Sequence, residues 1–434
     1  MNAQPVRTRH LFVLSLDSFN REMLESVDIG APLVLHQLLD IDQVTSSEDF
    51  DVAATLAEAE RQLKAHDGPI DGIMGYWDFP VSLMVPILAR RFGQAAPSVH
   101  SVVGCEHKYY SRLLQSQVAP EHVPEFQAVD PFDEADVDGI RLEYPFWIKP
   151  VKSFSSHLGF RVANRKDLDH AIGEIRAGIT DIGNAFNDFL ALADLPPDAE
   201  KIGGNHCVVE QLIGGRQCTL EGFVQGGRVE VYGVVDSLRF ANRSTFSRYQ
   251  YPSRLPRWVK EKMIEIAQRV LGHVGLDHSA FNMEFFWQPR DDRIWILEIN
   301  PRISQSHGDI FEKVDGSPNH LIPVELALGH APSWRRGQGS FGSAAKVFWR
   351  HFSDARVVRV PNAGQIEVVE QRFPGTRVHV EVREGMRLSD LDEAEQDSYS
   401  YCYAIIFAGA SSGRRLRENL REIRDMLGFE FQSP

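Results

Sequence analysis

The segments FNMEFFW, residues 281–287, and RIWILEINPR, residues 293–302, are the most informative part of this sequence. Both are rich in apolar and aromatic residues, which favours strands, and the spacer QPRDD between them is rich in turn-forming residues. The pattern predicts an antiparallel hairpin. Its expected register places Glu284 opposite residues 297–298, and Asn282 opposite the pair two positions further along.

Three oxygen ligands converge on this hairpin. Because side chains alternate along a strand, Glu298 and Asn300 share a face, and the register brings Glu284 beside them. Such a set suits Mg²⁺, which prefers oxygen ligands and keeps room for phosphate oxygens. Arg302 follows the last ligand, in a position to hold a transferring phosphoryl group. The alternative is a half-exposed hairpin with solvated acids, but Glu298 lies within an apolar run, where a lone carboxylate is unfavourable.

The composition excludes several classes of protein. A chain of 434 residues predicts about three domains, and 43% apolar with 24% charged residues is typical of a globular protein rather than a disordered or fibrous one. A formal charge of −14 argues against a general nucleic-acid binder. The apolar runs are too short for a membrane span, and residues 11–16 are interpreted as a buried strand, not a signal peptide. The four cysteines lack metal-site spacing, so reduced, buried thiols and a cytoplasmic location are expected.

The order of local patterns predicts a mixed fold. Strand and helix alternate over residues 1–103, which indicates a doubly wound α/β domain with a parallel sheet. This domain lacks the glycine fingerprint of dinucleotide sites. Helices are expected at about 166–191, 257–272 and 413–427, and a hairpin at 215–235 around two consecutive glycines.

The motifs also resemble a known family. EINPR at 298–302, preceded by NME at 282–284, is similar to the metal-binding end of the ATP-grasp superfamily. Lys108 and Lys149 match its two phosphate-binding lysines. Its flexible phosphate loop and its adenine-binding hinge match KSFSSHLG at residues 152–159 and EQLI at residues 210–213. The five parts occur in the expected order across about residues 70–320.

This resemblance implies ATP and Mg²⁺ or Mn²⁺ as cofactors, with Glu284, Glu298 and Asn300 holding the metal. It implies an N-terminal doubly wound α/β domain (1–103), an ATP-grasp core (104–335) with a lid at about 145–210, and a C-terminal β-rich α+β region (336–434). Arg302 and Lys149 would be catalytic. The implied ATP-binding residues are Lys108, Lys149, Ser153, Ser155, Ser156, Glu210, Gln211, Leu212, Ile213 and Gln217. Gln217 stands where many members carry an acid that binds ribose, and Glu221 is a possible substitute for it.

Two further segments are expected to border the substrate. Residues 237–251 carry arginines among hydroxyls and aromatic rings, and arginine suits carboxylate recognition, although a solvated basic loop is the alternative. Residues 304–308 directly follow Arg302, so His307 is placed to steer or accept a proton, with a structural histidine as the alternative. The candidates are Arg239, Arg243, Ser304, Ser306 and His307.

The function implied by the resemblance is ATP-dependent ligation of a carboxylate to an amine through an acylphosphate, with ADP as the nucleotide product. The whole-chain layout most resembles amino-acid and dipeptide ligases. A biotin-carboxylase-like enzyme, a small-molecule kinase and a non-catalytic nucleotide-binding module remain as alternatives. The expected partners are small-molecule carboxylates and amines, without nucleic acid or membrane, and a homodimer is a fair prior for the assembly.

Overall fold

The computed structural model describes residues 7–44, 50–153, 157–241, 245–391, 396–397 and 400–432. None of the helices in these ranges combines the length and apolar character that a bilayer span requires. All four cysteines are buried, and no disulfide joins them in the described part of the chain.

The N-terminal part is an α/β layer built on a parallel sheet. Its elements are β1 (Arg9–Leu14), α1 (Ser18–Glu25), β2 (Leu33–Leu38), α2 (Val52–Ala65), β3 (Gly72–Met74), α3 (Val81–Arg91), α4 (Val99–Glu106) and α5 (Lys108–Val118). The strand order is β2-β1-β3, and both pairings are parallel. Phe12 and Leu14 of β1 face the core that includes α2 and α3, whereas Leu11 and Val13 face the core that includes α1. Apolar cores on both faces confirm the predicted doubly wound arrangement.

The segment predicted to form a lid contains a second sheet. Its elements are β4 (Phe126–Val129), α6 (Glu134–Asp138), β5 (Phe146–Pro150), β6 (Phe160–Val162), α7 (Arg165–Gly178), α8 (Thr180–Leu190), α9 (Pro197–Glu200) and β7 (Cys207–Gln211). The strand order is β4-β7-β5-β6, and all pairings are antiparallel. The single helix predicted at 166–191 is wrong, since it divides into α7 and α8 at Ile179, directly after a glycine that weakens a helix interior. Phe186 and Phe189 of α8 pack edge-on against Phe79, each with 5.6 Å between ring centroids, so this segment shares a core with the N-terminal domain.

The remainder of the chain is organised by one large antiparallel sheet. Its first elements are β8 (Arg216–Gln225), β9 (Arg228–Arg239), β10 (Phe246–Tyr251), α10 (Arg257–Val274), β11 (Ser279–Gln288), β12 (Arg293–Asn300), α11 (Gly308–Asp315) and α12 (Leu321–Ala327). The predicted hairpin is β8–β9, whose turn at Gly226 and Gly227 has positive φ at both residues, 59° and 72°. Glycine adopts this conformation without a steric penalty, and such turns match the twist of a hairpin.

The C-terminal segment extends the same sheet. Its elements are β13 (Ser343–His351), β14 (Arg356–Arg359), α13 (Ala363–Arg372), β15 (Arg377–Val380), β16 (Gln396–Asp397), β17 (Ser400–Ala410), α14 (Gly413–Leu427) and β18 (Glu430–Gln432). The strand order is β12-β11-β8-β9-β10-β13-β17-β15, with β16 also paired to β17. The sheet therefore crosses the predicted boundary at residue 335, and the domain limits stay a prediction.

Candidate active site

The hairpin formed by β11 and β12 has the register that the sequence predicts. Glu284 pairs with Glu298, and Asn282 pairs with Asn300, before a bulge follows Glu284. The Asn300 amide lies 3.5 Å from the Asn282 side-chain oxygen, to which its nitrogen donates. The hairpin thus brings two carboxylates and the amide oxygen of Asn300 to one end of the sheet.

The two carboxylates are placed to hold a cation. Burial, and next the facing carboxylate of Glu298, raise the pKa of Glu284 to about 8. The only hydrogen bond described for the Glu284 carboxylate comes from Gln217, whose Nε2 lies 2.6 Å from Oε2. Two carboxylates that face and repel each other suit a hard divalent ion such as Mg²⁺, which would neutralise both. Glu284, Glu298 and Asn300 would hold it.

The two lysines predicted to bind phosphate approach the same region from separate elements. Lys108 begins α5, and its ammonium donates to the backbone oxygen of Ser153 at 2.6 Å. Burial lowers the pKa of Lys108 to about 8, and Glu298 opposes that shift electrostatically. Lys149 ends β5 and lies 2.7 Å from a carboxylate oxygen of Glu210. Both ammonium groups are therefore placed to bind the oxygens of a polyphosphate.

His107 fixes the start of the helix that carries Lys108. Its Nδ1 accepts from the backbone N–H of Tyr110 at 3.2 Å, and its Nε2 lies 2.7 Å from the Ile202 carbonyl, to which it donates. Burial lowers the pKa of His107 to about 4. The neutral ring is the form that can accept at Nδ1 and donate at Nε2.

Acid should destabilise the protein through His107. The folded pKa of about 4 lies below the ordinary value of 6.5, so the unfolded state binds a proton first as pH falls. The contribution of the neutral His107 ring is fully present above about pH 6.5. We expect the free energy of unfolding to fall by about 3 kcal/mol as the pH is lowered from there towards 4. Urea unfolding of the wild type and of His107→Asn, compared across this range, measures the contribution. Equal pH slopes in both proteins would contradict it.

The predicted hinge glutamate has both of its oxygens engaged. Arg112 Nε lies 2.6 Å from Glu210 Oε1, and Lys149 holds Oε2. Burial acts to raise the pKa of Glu210, but these two cations outweigh it and lower the pKa to about 2. Arg112 also donates to the backbone oxygens of Ile296 and Leu297, at 3.0 and 2.8 Å, beside Glu298. The Glu210 carboxylate thus links Lys149, through Arg112, to the β11–β12 hairpin. The contact of Glu210 with adenine stays a prediction.

Arg302 belongs to an ionic cluster that includes residues of the N-terminal domain and of the predicted lid. Its guanidinium pairs with Asp78, and Asp78 also lies 3.0 Å from the ammonium of Lys152. Lys152 in turn lies 2.8 Å from Glu106. Burial acts to raise the pKa of Asp78, but Lys152 and Arg302 hold it well below its ordinary range. The Arg302 Nε is buried and has no hydrogen-bond partner among the described residues, which leaves one donor for a further ligand.

Comparison with known proteins agrees with this geometry. Residues 142–308 match the family model described as an ATP-grasp domain. Residues 142–308 therefore form an ATP-grasp domain. The structure of L-amino acid ligase from Bacillus licheniformis is similar with a TM-score of 0.74 at 16% identity, covering 98% of this chain and 99% of that one. Biotin carboxylase from Campylobacter jejuni gives a TM-score of 0.61 at 14% identity, covering 98% and 92%. At these identities the likeness concerns the fold.

Sequence similarity to curated proteins is more local. The large chain of carbamoyl phosphate synthase from Mycobacterium tuberculosis strain H37Rv is 34% identical over 70 residues, which is 16% of this chain and 6% of that protein. The same protein from Rubrobacter xylanophilus is 23% identical over 288 residues, or 66% of this chain and 24% of that protein. The chain therefore spans at most about a quarter of the length of these two relatives.

Other predicted residues of the ATP-grasp site have contacts that the sequence did not indicate. Gln217 donates to Glu284, so its ribose contact stays a prediction. Glu221, the substitute considered for it, is fully buried and accepts hydrogen bonds from Asn282 and Tyr232 at 2.7 and 3.0 Å. Glu221 is therefore a structural residue, and the suggestion that it binds ribose is wrong. Ser155, Ser156 and Arg243 lie outside the described residues.

The predicted substrate residues are only partly brought together. His307 is buried, with Nδ1 2.8 Å from Glu221 and its ring packed on that of Tyr249. Ser306 accepts from the Lys346 ammonium at 3.2 Å. Ser304 donates its backbone N–H to Glu221 at 3.2 Å, and Arg239 lies over the rings of Phe246 and Phe286. The role of all four in substrate binding stays a prediction.

Proposed function

We propose that this protein is an ATP-dependent carboxylate–amine ligase that forms ADP. The observation that carries the proposal is the meeting of a carboxylate pair with three cations from different parts of the chain. Lys108 interacts electrostatically with Glu298 and Lys149, and Arg302 interacts with both Glu284 and Glu298. Such an arrangement fits phosphoryl transfer, in which positioning and neutralisation of charge account for most of the catalysis.

The proposed reaction has two steps. A carboxylate oxygen of the substrate attacks the γ-phosphorus of ATP, the bond to the β-phosphate oxygen breaks, and ADP leaves. The acylphosphate then reacts at its carbonyl carbon with an amine, the bond to phosphate breaks, and the amine loses a proton as the amide forms. A nucleophilic side chain is not needed in either step.

The residues of the site have separate tasks in this scheme. Lys108 and Lys149 would orient the phosphates, and Arg302 would stabilise the charge on the transferring phosphoryl oxygens. A bound Mg²⁺ supplies further neutralisation of the phosphate oxygens. Asp78, by holding Arg302 from the N-terminal domain, would keep that guanidinium in position.

An amino acid is the proposed class of acid substrate. The likeness to L-amino acid ligase extends over nearly the whole of both chains, which supports this choice as a fold-level analogy. Lys346, beside Ser306, is a cation suited to a substrate carboxylate. We further propose a homodimer as the assembly and the cytoplasm as the compartment.

A hydroxylamine trap tests the proposed function. The purified protein is incubated with Mg²⁺–ATP, pools of amino acids and hydroxylamine, and the hydroxamate and ADP are measured. A ligase gives both products, because only an acylphosphate reacts with hydroxylamine. Formation of ADP without hydroxamate would indicate a kinase, and ADP release that needs bicarbonate and biotin would indicate a carboxylase.

Replacement of Arg302 by alanine should lower kcat by about 10², the loss typical of one preorganised charged group. The KM for ATP should change little, because Lys108 and Lys149 remain to bind the phosphates. Steady-state kinetics measure both values, with Arg293→Ala on the exposed part of the same hairpin as the control. An equal change in kcat and in ATP affinity would instead mark Arg302 as a simple binding residue.

A further inference from the structure

A group of arginines lies on the face of the large sheet opposite the carboxylates of Glu284 and Glu298. Gln217 and Tyr249 face the metal side, where they contact Glu284 and His307. Because side chains alternate along a strand, the neighbours of Gln217 and Tyr249 point to the other face. Two adjoining cavities of about 300 Å³ each lie there, and both are bordered by Gln250 and Arg254. The arginines that line them are Arg216, Arg248, Arg254, Arg414 and Arg417.

These cavities carry uncompensated positive charge. Asp236 is the one acidic residue in their lining, against five arginines. Its two oxygens already accept from the Ser253 hydroxyl at 2.5 Å and the Arg254 backbone N–H at 2.9 Å. Burial, then repulsion by Arg417 and Arg254, lowers the pKa of Arg248. The chain as a whole has a formal charge of −14, so this positive cavity stands out from its surroundings and indicates a site for an anion.

The donors around the cavities converge. Arg417 Nη1 is buried without a hydrogen-bond partner in the described part of the chain. α14 begins at Gly413, and a Cβ placed there would lie 3.4 Å from Gln250 Nε2 and 3.9 Å from Arg417 Nη1. The start of the helix, the Gln250 amide and the Arg417 guanidinium therefore surround one point. Backbone N–H groups at a helix start add to the attraction of guanidinium groups for phosphate.

We propose that these cavities bind a small molecule with at least two linked phosphate groups, at a site distinct from the ATP-grasp site. The planar fork of arginine matches phosphate oxygens, and two adjoining cavities accommodate two linked groups better than one. A single monovalent carboxylate would leave most of the positive charge uncompensated. This proposal does not depend on the ligase function, since none of the five arginines belongs to the catalytic site.

Isothermal titration with inorganic pyrophosphate tests the proposal. The assay uses EDTA and the Lys149→Met variant, which removes a phosphate lysine from the catalytic site. We expect 1:1 binding that is retained in Lys149→Met and weakened about 10- to 100-fold by the further change Arg417→Gln, as for loss of a charge-assisted hydrogen bond. Arg415→Gln is the matched control, because Arg415 lies on the same helix, is exposed and pairs with Glu418 at 3.3 Å.

Several outcomes would overturn the proposal. These are absence of pyrophosphate binding, loss of binding in Lys149→Met alone, equal weakening by Arg415→Gln, and binding of inorganic phosphate as tight as that of pyrophosphate. Folding is checked by melting temperature. Because Arg417 repels Arg248, the ligand-free melting temperature of Arg417→Gln should be unchanged or higher than that of the parent protein. If Arg417→Gln melts lower, Arg254→Gln takes its place with the same expected weakening, and retained binding there would refute the site.

Discussion

Glu298→Gln is expected to reduce turnover of Mg²⁺–ATP by about 10³, because the loss of one preorganised charge in a reactive site has this order of effect. The change preserves the shape of the side chain but removes a charged ligand from the pair with Glu284. The fold should be retained.

Two measurements separate a metal role from a structural one. Steady-state turnover gives the loss of activity, and melting curves with increasing Mg²⁺ give the stabilisation by the ion. Asp291→Asn, in the exposed turn of the same hairpin, is the control and should behave as the wild type in both. Normal turnover in Glu298→Gln, or an undiminished response to Mg²⁺, would show that the ion is held elsewhere.

The β11–β12 hairpin could be predicted from the sequence because the residues that determine its register lie close together in the chain. Alternation with period two fixes which side chains share a face, and a short spacer fixes the register. These two facts place Glu284 opposite residues 297–298, and the bulge after Glu284 then pairs it with Glu298. The order of the lysines and the hinge along the chain then made the superfamily recognisable, although each motif by itself is weak.

The partners of those motifs could not be predicted, because they depend on tertiary contacts between distant segments. Arg112 lies on a helix and looks like an ordinary basic residue, yet it joins Glu210 to the strand that carries Glu298. Asp78 follows a short strand of the N-terminal domain and contacts Arg302, more than 200 residues away. The sequence analysis did not single out Glu106, although this carboxylate directly follows the largely apolar run VVGC at residues 102–105.

The position of Gln217 shows a further limit of sequence reasoning. Correspondence with other members places it at the ribose, but β8 lies beside β11, so the side chain reaches Glu284 first. Which neighbouring strand supplies a side chain is set by sheet order. Sheet order is not encoded in a single motif.

Lys152→Met should reduce the free energy of unfolding by about 3–5 kcal/mol, the range for removing one partner of a buried ion pair. Lys152 is buried and lies between Asp78 and Glu106. Methionine has a similar length but no charge. Asp78 would keep Arg302 as a partner, whereas Glu106 would be left in the interior without its cation.

The distinction between these two acids gives the decisive comparison. Lys152→Met combined with Glu106→Gln should recover at least about 1 kcal/mol relative to Lys152→Met alone, because the second change removes the orphaned charge. Urea unfolding at neutral pH measures the wild type, Lys152→Met, Glu106→Gln and the double variant, with the exposed Lys166→Met on α7 as a control that should change stability by less than about 0.5 kcal/mol. If the two losses simply add, Lys152 and Glu106 do not depend on each other, and their ion pair contributes nothing to the stability of this site.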